Sequence, residues 1–152
     1  MIDKRAFYIN GKWVKPAQAN DFQVIDPSTE EPCAVISLGG KADTDAAVAA
    51  AKAALPGWMY RPAEERIACV EKLLEIYDTR AEDLAQAISA EMGAPIDMAR
   101  ASQVTSGSYH LKNFLRAAKD FRFDKPLNEK FPNDRIVMEA VGVAALITPW
   151  NW

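Results

Sequence analysis

Two cysteines and one histidine in 152 residues leave little with which to build a metal centre or a disulfide framework. Cys33 and Cys69 lie in different segments at no metal-ligand spacing, and both read as small apolar packing residues. His110 sits on a stretch of helical period with no partner in view, so it takes no catalytic role. Eighteen basic residues against twenty-one acidic leave a net charge of −3 with no dense Lys/Arg cluster. That balance argues against an electrostatic grip on nucleic acid or an anionic membrane. No apolar run reaches the length of a membrane span, since "AVGVAALI" is cut off before Pro149. The opening "MIDKRAFYINGK" lacks the apolar core of a secretory signal, and the expected location is the cytoplasm. A Gly-x-Gly-x-x-Gly fingerprint is missing as well.

What is present is an ordinary globular composition, 49% apolar and 26% charged. In "FYINGKWV", Asn10-Gly11 suits a two-residue type I′ turn joining strands at 6–9 and 12–15, which places Tyr8 opposite Trp13. "DFQVID" and "CAVISL" predict two more strands around the turn "DPSTEEP", where Asp26 caps and Pro27 fixes φ. The expected result is one small antiparallel sheet.

From residue 43 the period becomes helical. Asp43 is a cap candidate for an alanine-rich helix to about Leu55, broken by "PGW". A second helix opens with Pro62 at a first-turn position, followed by Glu64 and Glu65 and a stripe of Ile67, Val70, Leu73, Leu74 and Tyr77. A third spans about 81–92 and stops at Gly93. A fourth runs from about 95 to 119 and buries Val104, Leu111, Phe114, Leu115 and Ala118. Its middle holds Ser102, Ser106, Gly107 and Ser108, small residues that predict close helix packing. "FRFD" and "DRIVMEA" then predict two strands around a polar loop.

"VGVAALI" is apolar on both faces, the pattern of a strand inside a parallel sheet covered by helices. Nothing else in the sequence supplies its parallel neighbours. The expectation is an incomplete α/β domain: N-terminal small antiparallel strands and helices leading into the first strand of a Rossmann-like parallel sheet, in a truncated chain.

Six stretches, in order, carry a resemblance: "YINGKWV"; "DPSTEEP"; "DAAVAAAKAAL" followed by Trp58; "RPAEER" with Arg66; "EMGAP"; and "EAVGVAALITPWNW". Together they resemble the N-terminal portion of the NAD(P)-dependent aldehyde dehydrogenase superfamily. The resemblance implies oxidation of an aldehyde to a carboxylic acid with NAD, or alternatively NADP, through a cysteine thiohemiacetal. In family members the attacking cysteine and the water-activating glutamate follow the Pro-Trp-Asn motif. Cys33 and Cys69 precede it and match neither, so the chain alone is expected to be inactive, without the catalytic domain.

Residue by residue, Asn151 matches the asparagine whose amide donates to the developing oxyanion. Ile147, Thr148, Pro149 and Trp150 match the lining of the cofactor channel. Residues 1–120 and 141–152 match the opening part of the cofactor-binding domain. Residues 121–140 match an oligomerisation arm, implying a homo-oligomer, dimer or tetramer. On the residues alone, Asn151 also reads as a turn residue, Ile147 and Trp150 as core, and 121–140 as a surface hairpin. An alternative from another class is a truncated, non-catalytic paralogue acting as an interaction module. Glu30 stands where the family has glycine, at little cost if φ there is negative, and Met92 departs from a commoner small or polar residue.

Overall fold

The structure, a computed structural model, describes residues 1–148. Its first third holds five short strands: β1 (Ile2–Lys4), β2 (Phe7–Ile9), β3 (Lys12–Val14), β4 (Asp21–Ile25) and β5 (Pro32–Ser37). Asn10 and Gly11 both adopt positive φ, 52° and 74°, as a type I′ turn requires. Tyr8 consequently faces Trp13, with ring centroids 5.2 Å apart. The single antiparallel sheet expected from the sequence is in fact two sheets. β2 and β3 stand alone, while β5 lies between antiparallel β4 and parallel β1. β1 escapes a sequence reading because "IDK" is too short to alternate, and its partner register, Ile2 beside Ala34, is non-local. Arg5 ties the end of β1 to β4, donating to Asp3 at 2.7 Å and to Asp21 at 3.0 Å.

In the β4–β5 connection, Asp26 Oδ1 accepts from the backbone N–H of Ser28 at 2.8 Å and from its hydroxyl at 2.6 Å. This is the expected side-chain cap. Glu30, however, has φ of 60°, so the position does require the left-handed region. A side chain there costs about 1 kcal/mol that glycine would not.

Five α-helices follow. α1 (Lys41–Met59) is capped by Gly40, and Asp43 is its third residue rather than its cap. The Asp43 carboxylate accepts from Gly40 N–H at 2.9 Å and from Ala17 N–H at 2.8 Å, joining the helix start to the loop after β3. The break expected at "PGW" does not occur, since α1 continues through Pro56 and Gly57. So near the helix end, the missing proline N–H removes one bond without stopping the chain. α2 (Ala63–Thr79) starts one residue past Pro62, which is its N-cap with an extended ψ of 144° rather than a first-turn residue. α3 (Ala81–Met92) ends on Gly93 at φ 73°. A Cβ on Gly93 would lie 2.8 Å from Pro27 Cγ, so the turns of "EMGAP" and "DPSTEEP" pack directly together.

The single fourth helix expected from the sequence is interrupted. α4 (Ile96–Met98) passes through a π turn at Ala99–Gln103 into α5 (Val104–Asp120). Close packing across its small residues is realised at Gly107, against Tyr77 of α2. The buried apolar residues are Ala85, Ala99 and Val104, ringed by Tyr77, Leu84, Ile88 and Ile96. No large side chain among the described residues is fully buried. Leu73 and Phe114, expected in the core, are 51% and 56% exposed, and Cys69 is exposed rather than packed.

β6 (Asp124–Pro126) and β7 (Arg135–Val137) form the last hairpin. The first of these lies later than the 121–124 expected, and the pairing is continued at each end by Met138 N–H to Phe123 O and Leu127 N–H to Asp134 O. Arg135 pairs across it with Asp124 at 2.6 Å. Apart from half-buried Ile136, the hairpin is exposed. Residues 141–148 join no ladder, and Val141 and Leu146 are 98% and 90% exposed.

Candidate functional site

The apolar run after Val141 leads to the residues that the sequence singles out. Ile147 and Thr148 are both exposed. Pro149, Trp150 and Asn151 lie outside the described residues. Among the described residues near this edge there is no glycine-rich loop to cradle a pyrophosphate, and Gly142 alone has positive φ there.

Among the described residues, no three His, Cys, Asp or Glu side chains converge. Among the same residues, every carboxylate with a shifted pKa is lowered rather than raised. The hydrogen bond from Arg5 holds Asp3 at about 2, and those from Arg100 and then Gln86 hold Glu82 at about 2. Asp43 is lowered by the N–H groups of Ala17 and Gly40. A proton-transfer carboxyl working near neutrality needs the opposite shift. Burial pushes the Tyr77 phenol upward, with Asp78 adding to it, so the hydroxyl stays a neutral donor. Cys33 donates its thiol to Val24 O at 3.3 Å, a packing role.

A more developed feature lies between α2, α5 and the start of the hairpin. This groove of about 450 Å³ is lined mainly by Trp58, Ile67, Val70, Phe114 and Phe121. Arg66 enters it from α2. Its Nη1 donates to Arg61 O at 2.6 Å and to Met59 O at 3.3 Å, while the guanidinium carbon sits 4.9 Å from the Phe123 ring centre. One side chain therefore closes the α1–α2 corner and touches the root of the hairpin. The helical spacing around Arg66 signals only a polar residue beside an apolar stripe, and Phe123 is too far along the chain for local patterning to pair them.

At the π turn, Gln103 Oε1 is shut off from water with no hydrogen-bond partner among the described residues. Nothing in the sequence around Gln103 marks this. No described helix is long and apolar enough to cross a membrane.

Residues 13–152 match the model of the aldehyde dehydrogenase family. A 3-succinoylsemialdehyde-pyridine dehydrogenase from a Pseudomonas species is 40% identical over 100% of this chain, which covers 31% of that relative. Among solved structures, an aldehyde dehydrogenase of Bartonella henselae superposes with a TM-score of 0.83 at 53% identity, over 85% of this chain and 27% of its own. An aldehyde dehydrogenase C variant of Pseudomonas syringae, complexed with NAD+ and octanal, gives 0.79 at 40% identity, over 82% and 26%. The chain thus spans about 31% of the length of the curated relatives it matches. By its small N-terminal sheets, its helices and its match to this model through the last residue, the chain belongs to the aldehyde dehydrogenase family, of which it represents the N-terminal portion.

Proposed function

We propose that this chain provides the opening layer of the cofactor-binding domain in an enzyme that oxidises an aldehyde to a carboxylic acid with NAD, or alternatively NADP. One observation carries the reading: an apolar run at 141–148, exposed and without a ladder, leads straight into the Pro149-Trp150-Asn151 motif within the family match. A strand apolar on both faces needs neighbours on both edges and helices above and below. In that setting its carboxyl end faces the crevice where dinucleotides lie.

A bound nicotinamide dinucleotide would supply the hydride acceptor. The chain's own residues prepare the place for that step. Ile147, Thr148, Pro149 and Trp150 form one wall of the cofactor channel, while Asn151 aims its amide N–H at the carbonyl oxygen of the aldehyde. Thiolate attack turns that oxygen negative, and a neutral, fixed donor stabilises it without carrying a proton that could be lost. Residues 121–140 serve as the arm that joins a second copy into a dimer or tetramer. The protein works in the cytoplasm.

The test compares the gene product at its full coded length with the 152-residue polypeptide of confirmed mass, each given NAD and a panel of aldehydes. NADH is expected from the first and none from the second, because neither Cys33 nor Cys69 matches the family's attacking cysteine, which follows the Pro-Trp-Asn motif. Reproducible NADH formation by the short polypeptide, or none by the longer product with any aldehyde, would overturn the reading.

A further inference from the structure

Arg66 stands at a corner where the end of α1, the start of α2 and the distant Phe123 meet. Its Nη1 binds the carbonyls of Met59 and Arg61, which close the end of α1, and its guanidinium lies over Phe123. Phe123 packs edge-on against Phe121 with centroids 4.8 Å apart, and its carbonyl accepts the N–H of Met138, the first rung of the β6–β7 hairpin. The rest of the hairpin is exposed except for Ile136. A contact at the root of an otherwise exposed hairpin governs where its far end points, because small rotations at the root are magnified along the strands.

We propose that Arg66 is a positioning residue that holds the 121–140 hairpin at a fixed angle to the helical body, and thereby sets how firmly one copy engages the next. The second half of this statement rests on reading 121–140 as an assembly arm. The chemistry favours arginine specifically. A planar guanidinium stacks on a ring while its edge donates in plane to carbonyls, whereas a lysine ammonium offers a point charge without that division of labour. The two bonds hold the plane in place, and the ring of Phe123 reads its orientation.

The experiment uses the gene product at its full coded length, carrying Arg66→Gln, Phe123→Leu, Phe123→Tyr or the Arg66→Gln/Phe123→Leu pair, beside a variant with 124–137 replaced by a short glycine linker. Amide exchange over 124–138 is measured on the parent and the Arg66 and Phe123 variants, and subunit dissociation on all of them including the linker variant, with circular dichroism confirming folded helices. Arg66→Gln and Phe123→Leu should each speed exchange in the hairpin and raise the dissociation constant roughly three- to tenfold, the range of a partly desolvated cation–ring contact. Phe123→Tyr, which keeps the ring face, should behave like the parent. The pair should be no worse than the stronger single variant, since both remove one contact. Parent-like exchange in folded Arg66→Gln, or effects that simply add in the pair, would overturn the role of Arg66. If the linker variant assembles like the parent, the arm reading and the assembly half of the proposal fail, and the exchange data alone then decide whether Arg66 sets the hairpin angle. If the linker variant dissociates while folded Arg66→Gln does not, the arm stands and the proposal for Arg66 falls.

Discussion

The Tyr77 hydroxyl donates to the Val104 carbonyl at 2.8 Å, and the same oxygen lies 2.3 Å from where a Cβ on Gly107 would stand. α2 and α5 therefore meet through a phenol that needs both a carbonyl to bond and an absent side chain to pass. Gly107→Ala should lower stability by about 1–2 kcal/mol, because the clash outweighs the roughly 1 kcal/mol that alanine gains in helix propensity. Tyr77→Phe should cost about 1 kcal/mol for the lost bond. The two combined should cost less than their sum, as deleting the hydroxyl removes the nearest clash. Urea denaturation of the four proteins decides it, and strict additivity would count against the packing described.

Glu30 holds φ at 60° in the turn between β4 and β5. Glu30→Gly should raise stability by roughly 0.5 kcal/mol, the relief of left-handed strain less the added freedom of glycine in the unfolded chain. Its midpoint in urea should move up, and a downward shift would mean the glutamate side chain makes a compensating contact.

The carboxylate of Asp43 is lowered below its ordinary value of 3.8 by the N–H groups of Ala17 and Gly40. Its folded pKa lies below its unfolded one, so its contribution is complete above the unfolded value. That contribution is lost as pH falls through the folded pKa. Asp43→Asn should remove this part of the acid dependence of stability while leaving the profile near neutrality flat. Thermal melts from neutrality down through the carboxylate range measure it. An unchanged acid limb would show that Asp43 does not contribute to the pH dependence.

On the functional proposal, Asn151→Ala in the full coded product should lower kcat by roughly 10² to 10³, the usual loss for one oxyanion donor, with little change in cofactor affinity. Asn151→Asp should be worse, since a carboxylate repels the same developing charge. Trp150→Ala should act mainly on cofactor binding. Near-normal turnover by Asn151→Ala, with chemistry rate-limiting, would leave the asparagine as a turn residue.

Local chemistry made much of the fold legible. Asn10-Gly11 specifies its turn because few residues tolerate positive φ at both positions, and Gly93 ends α3 for the same reason. Pro62 and the glutamates after it mark the start of α2 through backbone and dipole preferences that act within one turn. The strand expected over 141–147 does not form: the run joins no ladder among the described residues, since a strand apolar on both faces needs partners that these residues do not supply.

What the tertiary structure alone decided depends on contacts between distant residues. The pairing of β1 with β5, the burial of Asp43 against Ala17 and the meeting of Gly93 with Pro27 each join segments that no sequence window contains together. Local signals even misled at Pro56, because a helix tolerates proline where few bonds remain to lose. Likewise, an apolar stripe on α2 or α5 states that Leu73 and Phe114 suit a covered surface, not that the described residues cover them. The sequence determined which residues need partners; only the arrangement of helices and strands determined which partners they meet, because packing energy is shared between segments and belongs to neither by itself.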